Sequence, residues 1–178
     1  MMTQKRPQSG DYAPYFAKYV MQVPEGDFLA TLETQMRDMR TLLEPLTEKQ
    51  ADFSYAPGKW SIKQIVGHIN DAERIFSYRT LRIARGDETP LPGFEQDDYI
   101  KTANSASRTL ASLLEEFAAI RHSTISLIRS LDDSAWVRRG TASEKPVTVL
   151  AQAFIILGHA LHHQRILTEH YLPPLSAV

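Results

Sequence analysis

The stretch that decides the fold is SIKQIVGHINDAERIFSYRTLRIARG, residues 61 to 86. Its apolar residues recur every three or four positions, the spacing that places side chains on one face of an α-helix: Ile62, Ile65, Val66, Ile69, Ile75, Phe76, Leu81 and Ile83. Ser61 is suited to cap the first turn, and Gly86 is suited to end the last one. The sequence therefore predicts an amphipathic helix from about Ser61 to Gly86, which is long for a globular protein.

Three more helices are predicted from the same spacing, with approximate bounds 27–45, 105–131 and 148–170. No segment shows the alternation of apolar and polar residues that is typical of a half-buried strand. Four amphipathic helices without strands predict an all-α protein, a four-helix bundle. The connections before and after the third helix are long enough to cross the bundle, and a short helical turn is expected at 95–99.

The predicted domain organisation is a single helical domain preceded by a short arm. Residues 1–24 lack helical periodicity, so we expect an irregular N-terminal arm that packs through Tyr12, Tyr15 and Phe16. Residues 25–178 are predicted to form one four-helix-bundle domain. A domain of this length can bury a single hydrophobic core.

Composition excludes several classes of protein. Lys and Arg (20) nearly balance Asp and Glu (21), so the chain has no overall field that would hold nucleic acid or an anionic membrane. The absence of cysteine excludes disulfides, thiolate metal ligands and a cysteine nucleophile. No signal peptide or membrane-spanning segment is recognisable, and we expect a cytoplasmic protein.

Histidines cluster near the end of the chain, where GHALHHQRILTEH, residues 158–170, contains four of the six. His159 and His163 are four positions apart, so both imidazoles lie on one face of a helix and could bind one metal ion. A third ligand must come from another element, and His68, in the middle of the helix that begins at Ser61, is the candidate. Three imidazoles with an open position are typical of catalytic zinc sites.

The other histidines are weaker candidates. His162 lies three positions after His159 and could replace His163 as the second ligand, although the neighbours of His163 are more apolar. His170 falls at the end of a predicted helix, where a cation is favourable against the helix dipole. His122 lies between Arg121 and Ser123. For His122 and His170 we expect a place on the surface.

Several residues near these histidines are candidates for supporting roles. Trp60, Phe94 and Tyr99 could line the mouth of a site, although Trp60 is also suited to packing at the helix start. Three residues on the same helix as His68 could accept hydrogen bonds from the imidazole N–H groups: Gln64, Asp71 and Glu73. For Glu73 the sequence favours a pair with a nearby arginine on the surface.

Three segments resemble the DinB-like superfamily of metal-binding four-helix bundles, also called DinB/YfiT-like. They are the Pro-x-x-Trp-Ser entry to the helix at Ser61 with the His-x-x-Asp-x-Glu run that follows it, the stretch LLEEFAAIRHSTISLIRSLDDSAW, and the C-terminal TVLAQAFIILGHALHHQRILTEHYL. The resemblance covers residues 27–172. It implies a metal triad of one histidine in the second helix and two in the last, which match His68, His159 and His163.

The resemblance also implies a class of chemistry. The metal is commonly zinc or nickel, and characterised relatives are transferases and isomerases that use low-molecular-weight thiols, while others are proposed hydrolases. The expected partners are therefore a small-molecule substrate, a thiol cosubstrate and a second copy of the chain in a homodimer. Many relatives carry an acid directly after the first histidine of the last helix, and this chain has Ala160 there.

Two functions of different class follow from the sequence. The first is a metal-dependent enzyme of the thiol-transferase or hydrolase type. The second is a non-catalytic bundle in which the histidines bind a metal for stability, or bind nothing.

Overall fold

A computed structural model describes residues 5–176 of the chain. In order, its α-helices are α1 (Ala17–Val20), α2 (Phe28–Leu43), α3 (Glu48–Ala51), α4 (Ile62–Ala84), α5 (Gln96–Thr102), α6 (Leu110–Arg129), α7 (Val149–Ile166) and α8 (Leu172–Ser176). Two strands, β1 (Arg139–Ala142) and β2 (Lys145–Thr148), precede α7. Short 3₁₀ turns cover Pro14–Phe16 and Ser105–Ser107, and a wide π-type turn covers Leu167–Tyr171.

The four long helices, α2, α4, α6 and α7, are those predicted from periodicity, and side chains cap their N-termini as expected. Asp27 accepts a hydrogen bond from the backbone N–H of Ala30, Ser61 forms a capping box with Gln64, and Thr148 caps α7. The start of α6 differs from the prediction. Residues 105–107 form a separate 3₁₀ turn, and Thr109 caps the helix instead.

Side-chain pairs fix the directions of the helices. α4 and α6 run parallel, because Asn70 reaches the carbonyl of Leu113, Glu73 reaches Arg121, and Ser77 reaches Thr124. Two consecutive parallel helices require the connection between them to return along the whole bundle. The 85–109 connection, which contains α5, does so. The 130–148 connection instead joins the neighbouring ends of α6 and α7.

The link before α7 contains a β-hairpin, which corrects the prediction of a chain without strands. β1 and β2 pair antiparallel, with Ala142 opposite Lys145. Ser143 and Glu144 form the turn with positive φ angles of 51° and 63°, as a two-residue hairpin turn requires. Leu91 then bonds to the outer side of β1, through Thr141 O and the Ser143 N–H. The hairpin therefore holds the loop that precedes α5.

The N-terminal segment is more ordered than the predicted irregular arm. α1 packs against α7, where the absence of a side chain at Gly158 lets the backbone carbonyl of Tyr19 approach closely. Tyr19 and Val20 are buried, whereas Tyr15 is 60% exposed and does not anchor the segment. The segment therefore belongs to the wall of the bundle beside the histidines of α7.

Two apolar clusters fill the bundle, one toward each end. The cluster near the hairpin includes Phe28, Phe76 and Phe154, and the opposite cluster includes Leu43 and Phe117. Among the described helices, none combines the length and apolar character that a membrane crossing requires.

Candidate metal centre

Three histidines from two helices converge between the apolar clusters. His68 projects from α4, and His159 and His163 project from successive turns of α7. The Nε2 atom of His159 lies 3.0 Å from Nε2 of His68 and 3.2 Å from Nε2 of His163. The ligating nitrogens of all three residues lie within 4.8 Å of one another. The structure thus brings together the three residues that the sequence selected.

Burial keeps these imidazoles neutral. His68, His159 and His163 are 3%, 4% and 9% exposed. Desolvation lowers the pKa of His68 to about 4, partly opposed by the charge of Asp97. Desolvation also holds the pKa values of His159 and His163 well below the ordinary range, and the neighbouring imidazoles add to that effect. At neutral pH each ring therefore carries a nitrogen lone pair, the form that binds a metal.

The arrangement fits a divalent ion better than it fits hydrogen bonds alone. A neutral imidazole nitrogen offers either one N–H or one lone pair, so Nε2 of His159 cannot pair fully with both of its neighbours. Zinc–nitrogen bonds of 2.0–2.1 Å in a tetrahedral site place ligand nitrogens about 3.3 Å apart. The observed separations of 3.0 and 3.2 Å are close to that spacing.

The remaining histidines do not join the cluster, although the ring of His162 lies 5.3 Å from that of His163 between centroids. His162 points to the N-terminal segment, where its Nδ1 lies 3.2 Å from Nε2 of Gln22 and its ring contacts Tyr19 edge-on. His170 is exposed and stacks on Tyr55, and His122 is exposed on α6. It is therefore His163, and not His162, that joins His68 and His159.

The candidate acceptors for the imidazole N–H groups have other partners, and Glu73 pairs with an arginine, the alternative that the sequence favoured. Gln64 accepts a hydrogen bond from the backbone N–H of Ser61. Glu73 pairs with the buried Arg121, and Asp71 lies 3.9 Å from Arg74. Aromatic rings surround the triad instead: Trp60 against His68, and Tyr19 and Phe76 against His159. Packing therefore orients the imidazoles within the part of the chain that is described.

Two clefts reach the triad from different sides. The larger, of about 460 Å³, is lined by His68 and His159 together with Tyr19, Phe76, Phe94 and Arg79. The smaller, of about 270 Å³, reaches His163 and is lined by Trp60, Tyr55 and Tyr171. Asp97, on α5, contributes to both clefts. Trp60 and Phe94 thus line the approaches as expected, whereas Tyr99 lies in a neighbouring surface groove.

Sequence reasoning missed Tyr19, Arg79 and Asp97 among the cleft residues. Arg79 could have been found from the sequence, because it lies eleven positions after His68. Eleven residues make three turns of an α-helix and return to within about 20° of the same face. Tyr19 and Asp97 had no comparable signal, since both lie on short helices whose placement depends on tertiary contacts.

The fold and the three histidines place the chain among helical bundles with a metal-binding type of site. Three buried histidines from two helices converge there, and a cleft reaches them from each of two sides. The chain belongs to the DinB superfamily, whose family model matches residues 31–167.

Individual relatives extend this similarity over most of the chain. The protein "Putative metal-dependent hydrolase GK0616" of Geobacillus kaustophilus is 24% identical over 141 residues, which cover 77% of this chain and 78% of that protein. YfiT of Bacillus subtilis, which carries the same functional name, is 23% identical over 164 residues, 90% of each chain. The solved structure of YfiT, described as a probable metal-dependent hydrolase with an unusual four-helix bundle topology, superimposes with a TM-score of 0.76 at 18% identity. That superposition covers 96% of this chain and 94% of YfiT, and it shows a shared fold.

Proposed function

We propose that the chain is a metal-dependent hydrolase in which His68, His159 and His163 bind one divalent ion. The observation that carries the proposal is the convergence of three buried, neutral imidazoles whose Nε2 atoms are spaced as metal ligands are. The names of the relatives support the same class of reaction.

The donor set favours particular metals. Three imidazoles without thiolate suit Zn²⁺ and Ni²⁺ better than Mg²⁺ or Ca²⁺, which prefer oxygen ligands. A divalent ion bound there supplies Lewis acidity and lowers the pKa of a water or thiol that it binds. We propose Zn²⁺ or Ni²⁺ as the resident ion.

The residues around the triad serve to hold it and to exclude water. Tyr19, Trp60 and Phe76 contact the imidazole rings edge-on or tilted, with ring centroids 4.9–5.7 Å apart, and fix their orientation. Asp97 places a carboxylate on the wall of both clefts, where its negative charge favours positive charge at His68. The site is thus apolar around the ligands and polar at its entrance.

Transfer to a low-molecular-weight thiol is a second proposal, and the presence of two clefts favours it. One cleft reaches His68 and His159 and the other reaches His163, so two molecules can approach the triad from different sides. The chain has no cysteine, so the thiol must be a cosubstrate.

These two proposals are tested by measuring substrate turnover by the protein with and without bound zinc. Zinc-loaded protein, chelator-treated protein, His163→Ala and the matched control His162→Ala are assayed against panels of esters and amides, with and without added thiols. We expect activity in the zinc-loaded wild type and in His162→Ala, and its loss in the other two. Hydrolysis without thiol supports the first proposal, and strict dependence on thiol supports the second. Turnover that survives both chelation and His163→Ala would refute a metal mechanism at this triad.

We also propose a homodimer, following the family resemblance. The outer side of α4 and the neighbouring α5 expose apolar side chains, Tyr78 at 51%, Leu81 at 38% and Tyr99 at 44%, which a second copy would cover. Light scattering coupled to size-exclusion chromatography tests this, with a mass of about twice 20.2 kDa expected. A monomer at high concentration would contradict it.

A further inference from the structure

Arg79 is a buried cation in the wall of the larger cleft. The residue is 3% exposed, and it lies on the same cleft as His68 and His159. Its guanidinium lies 5.9 Å from the ring centroids of both Phe76 and Phe94, so two aromatic rings hold it in place. Because arginine stays charged in proteins, this position carries a full positive charge beside the site.

The hydrogen-bond capacity of Arg79 is only partly used. Nη2 donates to the carbonyl of Pro92 and to Oγ of Ser143. In the described part of the chain, the N–H groups on Nε and Nη1 have no acceptor and no carboxylate pairs with the side chain. A guanidinium has five N–H donors, so three remain for a ligand. These donors are not fully buried, since the fully buried unpaired side-chain atoms among residues 5–176 are Asn70 Oδ1 and Gln152 Oε1. Arg79 lines both the larger cleft and the neighbouring surface groove.

The other charges of this cleft are exposed. Glu95 and Asp97 stand at the α5 side and Lys145 at the hairpin side, all in contact with solvent. Water screens exposed charges effectively, whereas the two hydrogen bonds of Arg79 to neutral groups replace its lost hydration only in part. Arg79 is therefore the charge in this cleft that gains most from an anion.

The distance from Arg79 to the triad limits the size of a ligand that reaches both. The guanidinium carbon lies 5.9 Å from the Phe76 ring, and that ring lies 5.7 Å from the ring of His159. The guanidinium is thus no more than about 12 Å from the imidazole of His159. A chain of about eight bonds spans such a gap.

We propose that Arg79 binds an anionic group of the substrate, a carboxylate or a phosphate, on the wall of the larger cleft that it shares with His68 and His159. The inference rests on the proposed function, because it takes the triad as the reacting end. The substrate class is a small molecule with its anion about 12 Å or less from the reacting group. Charge-assisted hydrogen bonds from a fixed guanidinium give strong selectivity for such a group.

The first experiment measures anion binding at Arg79 by NMR in the absence of metal. In ¹⁵N-labelled, chelator-treated full-length protein, the Nε–H signal of Arg79 is assigned by its loss in Arg79→Lys. Glutarate, methyl phosphate and the neutral glutaramide are then titrated. We expect a saturable shift of this signal with one or both anions and none with glutaramide. The anion that binds more tightly shows whether Arg79 prefers a carboxylate or a phosphate. Shifts that do not saturate with either anion would overturn the proposal.

The second experiment tests whether one ligand can bind the metal and Arg79 at the same time in zinc-loaded protein. Suberic acid monohydroxamate carries a metal-binding group and a carboxylate on one chain, and the matched compound carries a terminal amide. By calorimetry we expect the acid to bind about tenfold more tightly than the amide in the wild type, and equally in Arg79→Gln. Lys145→Gln, which removes the exposed cation of the same cleft, serves as the control and should keep the preference.

The outcomes separate this inference from the proposed function. Equal binding of both hydroxamates to the wild type shows a metal site without anion recognition and refutes the role of Arg79. Binding of neither hydroxamate refutes the metal site, and the metal-free titration then decides the role of Arg79. If Arg79→Gln does not fold, Arg79→Lys replaces it, with a reduced but measurable preference expected. A merely structural Arg79 would change the melting temperature but leave the acid-to-amide ratio unchanged.

Discussion

Replacing Glu73 by leucine should strongly destabilise the bundle while leaving the histidine triad intact. Glu73 accepts two hydrogen bonds of 2.8 Å from Nε and Nη2 of Arg121, and the two side chains are 2% and 0% exposed. Arg121 keeps only Gln35 Oε1 at 2.8 Å and the carbonyl of Leu32 at 3.3 Å. The substitution therefore leaves a buried guanidinium without its counter-ion, which costs about 3–5 kcal/mol.

The assay is urea unfolding, followed by circular dichroism. With a slope of about 2.5 kcal/mol per molar urea, a loss of about 4 kcal/mol lowers the midpoint by about 1.5 M. Combining Glu73→Leu with Arg121→Met removes both charges, and we expect the double variant to recover at least half of the loss. Both variants should retain the metal, because Glu73 contacts none of the three histidines. A loss below about 1 kcal/mol for Glu73→Leu, or a double variant as unstable as the sum of the singles, would refute the reasoning.

Three further predictions concern packing and the metal. Gly158→Ala places a Cβ 2.1 Å from the backbone carbonyl oxygen of Tyr19, so α1 must move. We therefore expect the melting temperature to fall by about 4–10 °C. An unchanged melting temperature would contradict the close packing of α1 on α7. Gly67→Ala meets Oγ of Ser105 at 2.2 Å, and adding Ser105→Ala should restore part of the lost stability, whereas a purely additive loss would argue against that contact. Chelation should lower the melting temperature of the wild type by removing about 3–4 kcal/mol of binding free energy, and it should have no effect on His68→Ala.

Much of the bundle was predictable because its signals are local. Asp27, Ser61 and Thr148 cap helices whose apolar residues repeat at helical spacing, and these features act within one or two turns of the chain. The pair His159 and His163 was predictable for the same reason, since helix geometry alone places residues four apart on one face. Adding His68 required the further assumption that α4 packs against α7, and the structure confirms that packing.

The features that were not predicted depend on contacts distant in sequence. The hairpin has two strands of four residues, and Gly140 lies against the side chain of Ile83 on α4. α1 spans one turn and is held by α7 rather than by its own periodicity. Arg121 is fully buried beside the exposed His122, and acceptors from two other helices, Glu73 above all, compensate for that burial. The pairing of Glu73 with an arginine was predicted, but its burial was not.

Elemental analysis of protein purified without a histidine tag tests whether His68, His159 and His163 bind one divalent ion. Wild type, His68→Ala and the control His162→Ala are measured side by side after dialysis. We expect about one zinc or nickel ion per chain in the wild type and in His162→Ala, and less than about a tenth of that in His68→Ala. Wild-type protein that stays free of metal after incubation with Zn²⁺ or Ni²⁺, or a His68→Ala variant that retains a full equivalent, would contradict this prediction.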